Sequence, residues 1–184
     1  MLPFTWLEEA ERRLASHLIV TPVTYDPEQD LYLKWENQQI TGSFKARGAL
    51  NKAFSLQDWE RQRGLTSASA GNHGQGLALA AQKSGAKVLI FAPEPAPAVK
   101  VQAMQARGAE VRLVPGGYAE AEAAGLAYAA EHETTWVSPY NDGMVIAGQG
   151  TVALETLRQL QEQVEGRAPR LPMTWLVPVG GGGL

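Results

Sequence analysis

TGSFKARGA, Thr41 to Ala49, sets one lysine among small residues that let another group approach closely. A lysine that is to react as an amine must be held out of water among neighbours that lower its pKa. Gly42 leaves backbone room, Ser43 adds a hydroxyl donor and Phe44 a flat ring, so Lys45 is the candidate reacting group. The same nine residues also read as an ordinary helix start, with Thr41 or Ser43 as N-cap and Lys45 and Arg47 as solvated charges. Arg47 and Lys52 are expected to flank the helix rather than touch a substrate.

Working outward, Thr5 three positions before Glu8 suggests a capping box in front of an amphipathic helix carrying Leu7, Ala10 and Leu14. After Thr21-Pro22, a turn over Tyr25 to Asp30 leads into LYLKWE, whose alternation predicts a strand. Ser43 to Leu56 predicts a helix, broken by the polar run Gln57 to Gly64. From Leu65 the apolar runs LTSA, KVLIF, EVRLV and TWV alternate with helices near His73–Ser84, Ala96–Arg107 and Tyr118–His132. Such alternation predicts parallel strands with crossover helices, an α/β fold. Gly85 and Gly108 close the first two helices as left-handed caps. A longer helix from about Val145 to Val164, a loop from Gly166 to Pro172 and a final strand, TWLVPV, complete the chain.

A second chemical stretch, SASAGNHGQG from Ser67 to Gly76, lies where a strand ends and a helix begins. Helix N-termini leave amide N–H groups free, and the small residues here let an anion such as a carboxylate reach them. Read alone it is equally a strand-to-helix turn. A third, PVGGGGL from Pro178 to Leu184, opens an apolar run into four glycines. Their amides can form a nest for a phosphate, and in isolation they also read as a linker.

These three stretches, in this order, resemble the fold type II pyridoxal phosphate enzymes, in the branch of threonine and serine dehydratases and serine racemase. The resemblance spans nearly the whole chain. It implies the tryptophan synthase β-like fold, parallel sheets with flanking helices. It implies a large-domain part at 1–55, a small α/β domain at 56–144 and a return to the large domain at 145–184. Pyridoxal 5′-phosphate would be held as a Schiff base on Lys45 beside Phe44, with Asn72 on its phenolic oxygen and Gly180, Gly181, Gly182, Gly183 and Leu184 around its phosphate. Ser69, Ala70, Gly71, Asn72 and His73 would bind the substrate carboxylate. The implied activity is β-elimination of L-threonine or L-serine. Ala46 after the lysine leans toward elimination, since related synthases carry an acidic residue there. Ala70 stands where racemases place a hydroxyl. The family extends beyond the glycine loop, so the chain is expected to be an N-terminal piece, inactive alone, of a protein that forms a dimer or tetramer.

Other classes find little support. The net charge of −3 offers no basic face for nucleic acid or an acidic membrane. Without cysteines, disulfides, thiolate metal sites and cysteine nucleophiles are excluded. His17, His73 and His132 lack ligand spacing, so no metal is expected, and His73 is read as shaping the site. A Rossmann nucleotide site would want a glycine fingerprint after the first strand. No long apolar run occurs near the N-terminus, and a cytoplasmic location is the expectation.

Overall fold

A computed structural model describes residues 2–162, 172–180, 182 and 184. Helix α1 (Phe4–Leu14) buries Ala10 and Leu14. It starts one residue before Thr5, with Pro3 at the N-cap and no side chain capping it. The expected capping box is therefore absent, because the fixed φ of Pro3 already sets the chain for helix. Strands β1 (Val23–Asp26) and β2 (Leu31–Lys34) pair antiparallel as a hairpin. The turn is thus shorter than the sequence suggests. Asp26 accepts the amides of Glu28 and Gln29 at 2.9 and 3.3 Å, and Asp30 takes a positive φ of 52°.

A 3₁₀ turn (Glu36–Gln38) leads to α2 (Lys45–Ser55) and the short α3 (Asp58–Arg63). The polar run that breaks α2 is itself one helical segment, closed at its start by Glu60 accepting the Gln57 amide at 2.7 Å. Then β3 (Leu65–Ala68), α4 (Asn72–Ser84), β4 (Val88–Pro93), α5 (Ala98–Gln105), β5 (Glu110–Val114), α6 (Tyr118–Glu131) and β6 (Thr135–Trp136) alternate as expected. The four strands form a parallel sheet in the order β5-β4-β3-β6. β3 and β4 are buried throughout, as parallel strands covered on both faces must be. β5, at the edge, is partly exposed and carries Glu110 and Arg112, charges that discourage further pairing.

One face of the sheet packs Ala68, Leu89 and Phe91 against Ala121 of α6, with Trp136 and Tyr128 alongside. The other carries the larger core, in which Leu77, Ala78 and Ala81 of α4 meet Ala46, Ala49 and Leu50 of α2. Helix α7 (Gly143–Glu162) crosses α2 backbone to backbone, since a Cβ on Gly148 would lie 2.7 Å from Arg47 O. Gly85 and Gly108 take φ of 72° and 85°, the left-handed caps expected of them. The expected strand TWLVPV is not one. Residues 174–179 join no ladder, with Leu176 and Val179 exposed, because among the described residues no strand pairs with them. Most of the expected loop 166–172 falls outside the described residues.

Candidate active site

β3 sits between β4 and β6, so the chain leaves β3 to build the sheet in one direction and returns on its other side as β6. Loops at the carboxyl ends of such neighbouring strands diverge and leave a crevice, the usual place for a ligand in an open α/β sheet. Here those loops are Ser69–Gly71 and Val137–Asp142, and Lys45 points at the second of them. Its Nζ donates to the carbonyl of Pro139 at 2.7 Å and lies 5.2 Å from the centre of the Phe44 ring. Burial lowers the Lys45 pKa below the ordinary lysine range. The backbone behind it is fixed by α4, because a Cβ on Gly76 would lie 2.9 Å from Lys45 O.

Lys45 and Phe44 line a cavity of about 260 Å³ with Pro178, Val179, Gly180, Gly182 and Leu184. The lysine stretch and the end of the glycine stretch therefore meet. Gly181 and Gly183 lie outside the described residues. Gly180 and Gly182 have open space where a Cβ would stand, which leaves their backbone accessible to a bound group. The hydroxyls of Thr41 and Ser43, just before Lys45, are buried without a partner among the described residues. A buried hydroxyl normally bonds something, so both are available to a ligand or water.

The loop after β3 is held by its own serine. Ser69 Oγ accepts the amides of Gly71 at 3.1 Å and Gly74 at 2.9 Å. Its hydroxyl is thus turned into the loop, while Ala70 is half-buried and the Asn72 side chain is exposed at the start of α4. The amides of Asn72 and His73, in the first turn of α4, have no acceptor among the described residues, as expected of helix starts.

His73 is buried, with Nε2 3.1 Å from Ser67 Oγ and 3.3 Å from Val137 O. The Ser67 hydroxyl spends its proton on Val137 O at 2.7 Å, so Nε2 must carry the ring proton and Nδ1 is left a bare acceptor without a partner among the described residues. Burial, then the Lys45 charge, push the His73 pKa down to about 4. The imidazole is neutral at pH 7. In the unfolded chain it protonates near 6.5. The stability it contributes is complete above that value and is lost as pH falls toward 4, on the order of 3 kcal/mol. We expect the urea midpoint to drop between pH 6.5 and 4, and His73→Gln to flatten that slope; an unchanged slope would refute a buried neutral histidine.

Arg47 departs from expectation. It is 1% exposed, not a solvated charge. Glu36 and Glu155 each grip its guanidinium at two points, from 2.7 to 3.0 Å. Lys52 pairs with Asp142 at 2.8 Å, and Asp142 accepts the amides of Met144 and Val145 at the start of α7. A second cavity, about 290 Å³, is lined by Arg47, Glu155 and Arg158 among others, but those charges are already paired within the protein. His17 stacks on Phe54, and His132 on Tyr128. Sequence reasoning gave no role to Pro139, the acceptor for Lys45.

The profile of a family described as pyridoxal-phosphate dependent enzyme matches residues 15–184. An L-threonine ammonia-lyase of Thermotoga maritima is 42% identical over 190 residues, covering 100% of this chain and 45% of the relative. The chain spans about half the length of the curated relatives it matches. Among solved structures, the threonine deaminase of Solanum lycopersicum (isoform 2, processed form) superposes with a TM-score of 0.81 at 33% identity, over 86% of this chain and 48% of that one. Serine racemase from Dictyostelium discoideum gives 0.80 at 36%, over 90% and 54%.

Proposed function

Because this chain belongs to the family of pyridoxal-phosphate dependent enzymes, we propose that the protein containing it is a threonine or serine ammonia-lyase. The observation that carries the proposal is its likeness, along its whole length, to an L-threonine ammonia-lyase. The described residues fit the cofactor: a desolvated amine, a flat ring beside it and an open backbone at Gly180 and Gly182 line one cavity.

When bound, pyridoxal phosphate withdraws electrons from the substrate's α-carbon. Lys45 would hold it, and its amine, whose pKa burial lowers, would take the α-proton. The substrate carboxylate would rest on the free amides of Asn72 and His73. Phe44 covers one side of the cavity and limits water there. Loss of the β-hydroxyl as water, followed by hydrolysis, converts L-threonine to 2-oxobutanoate and ammonia. Gly181 and Gly183 are assigned with their neighbours to the phosphate on the resemblance alone.

The racemases among the structural neighbours suggest another outcome at the same site, and Ala70 argues against it. An alanine methyl cannot deliver a proton to the face opposite Lys45. The complete protein should release 2-oxobutanoate from L-threonine and form little D-serine from L-serine, with racemisation gained on Ala70→Ser; residues 1–184 alone should be inactive. Rapid serine racemisation by the unsubstituted protein, or no 2-oxo acid from either substrate, would overturn the reading.

The partition into a large-domain part at 1–55 and 145–184 and a small domain at 56–144 belongs to the same proposal. So does assembly into a homo-oligomer, supported by the exposed Ile19, Val20, Leu31, Tyr32 and Leu33. A cytoplasmic location is likewise proposed; among the described residues no helix is long and apolar enough to cross a membrane.

A further inference from the structure

The carbonyl that faces Lys45 belongs to a loop whose first residue is clamped by side chains. β6 ends at Trp136, paired with Thr66. Val137 still donates its amide to Thr66 O at 2.8 Å, but its carbonyl is bonded by Ser67 Oγ at 2.7 Å and His73 Nε2 at 3.3 Å. His73 Nε2 also donates to Ser67 Oγ at 3.1 Å, so the two donors on that carbonyl are tied to each other. Two residues later the Pro139 carbonyl accepts from Lys45 Nζ at 2.7 Å.

Helix α4 fixes both ends of that contact. His73 and Gly76, three residues apart, share a face of it. Gly76 packs on the Lys45 backbone, where a Cβ would lie 2.9 Å from Lys45 O, while His73 reaches Val137. Past Pro139 the loop is tied down again, by Ser138 Oγ accepting the Asn141 amide at 3.0 Å and by Asp142 pairing with Lys52 at 2.8 Å. The distance between the amine and its acceptor is therefore set through Gly76 on one side and His73 on the other. An apolar side chain would fill the His73 position without burying a bare Nδ1 that has no partner among the described residues. What the imidazole supplies instead is a single N–H, aimed at Val137 O and Ser67 Oγ.

We propose that His73 is a positioning residue for the reacting amine: its side chain holds segment 137–139 so that the Pro139 carbonyl accepts a hydrogen bond from the ammonium that Lys45 becomes on taking a proton. This rests on the reading of Lys45 as the proton acceptor. The α-carbon gives up the proton, Lys45 Nζ gains it, and the carbonyl binds one of the resulting N–H groups without changing its own protonation. A carbonyl so placed favours the charged amine and makes Lys45 a stronger base than burial alone would leave it.

The test uses the complete protein with His73→Leu, which fills the space and removes the donor, and His73→Gln, whose Nε2 can donate from nearly the same place. With cofactor bound, His73→Leu should lower kcat for L-threonine at least about tenfold, as a misplaced reacting group does, while KM changes less than about threefold. His73→Gln should restore most of the loss. With cofactor removed, timed acylation followed by peptide mapping should find Lys45 of His73→Leu titrating at a lower pH, and so acylated about fivefold or more faster at pH 7, with His73→Gln close to the unsubstituted protein. A histidine that only stabilised the core would leave Lys45 acylation unmoved. Should His73→Leu not fold, Ser67→Ala, which removes the shorter bond to the same carbonyl, should give both effects in its place. Unchanged Lys45 acylation, a kcat within about twofold of the original, or a glutamine variant as impaired as the leucine one would each overturn the inference. So would a rise in KM alone, since the residue would then act on substrate binding and not on the amine. An acylation change of the expected sign in a protein that turns over neither amino acid would refute the ammonia-lyase reading and leave this one standing.

Discussion

Lys45→Ala should reduce 2-oxobutanoate formation by the complete protein at least about a thousandfold, because one amine both anchors the cofactor and moves the proton. The loss should not come from misfolding. The Lys45 side chain leaves the core for the cavity, whereas Ala46, Ala49 and Leu50 carry the packing of α2. Alanine is also the best helix former at such a position. Lys45→Arg should be equally inactive, although it keeps the positive charge, since a guanidinium cannot give up its proton near neutral pH. The pair thus separates a reacting amine from a lysine that merely adds charge beside Phe44. Borohydride treatment followed by peptide mapping should place reduced cofactor on Lys45. Label on another lysine, or turnover by the arginine variant within tenfold of the original, would show that the reacting group lies elsewhere.

Sequence patterns located the elements of the parallel sheet almost residue for residue, because its central strands are buried on both faces and its elements are bounded by residues with one conformational role. LTSA is fully buried as β3, and Gly85 and Gly108 end their helices at positive φ. The patterns did worse where the outcome depends on a distant partner. LYLKWE alternates as a strand should, but its partner is Val23–Asp26, which the TP and PE dipeptides around it make look like turn. TWLVPV has strand composition and stays unpaired, since a ladder needs a neighbour that composition cannot supply. Of the site, the residue types that react were legible: Lys45, Phe44, Gly180 and Gly182 share one cavity. The acceptor at Pro139 was not, because a backbone carbonyl has no residue type to announce it. Arg47 was expected only to flank the helix; its burial was legible in Ala46, Gly48, Ala49 and Leu50 around it, which describe a helix buried on nearly every side.

That buried arginine carries the largest expected effect on stability. Arg47, Lys34, Glu36 and Glu155 form a cluster of two cations and two anions that joins α2 to β2, the 3₁₀ turn and α7. Lys34 Nζ reaches Glu155 at 2.5 Å and Gln159 at 2.6 Å, and the Thr21 hydroxyl donates to Glu36 at 2.6 Å. Burial acts to raise the Glu155 pKa, but hydrogen bonds from Arg47 and Lys34 outweigh it and hold the carboxyl below its ordinary value. The same carboxylates keep Arg47 charged against its own burial. A buried pair gains little over apolar residues of the same shape, yet breaking it from one side strands a charge. Arg47→Met should therefore cost about 3–5 kcal/mol, leaving Glu36 and Glu155 with only Lys34 between them. Arg47→Lys should recover little, because an ammonium cannot make the two forked contacts at once. Adding Glu155→Gln to Arg47→Met should restore part of the loss by removing one stranded charge. The sign with pH follows from Glu155: its lowered carboxyl contributes stability present above about 4.5, lost as pH falls through its folded value. Urea unfolding followed by tryptophan fluorescence should show the loss in Arg47→Met at pH 7 and a smaller loss near pH 4, where the Glu155 contribution is already fading in the unsubstituted protein. A midpoint unchanged at pH 7, or a double variant less stable than the single, would mean that the cluster does not hold α2, and with it Lys45, in place.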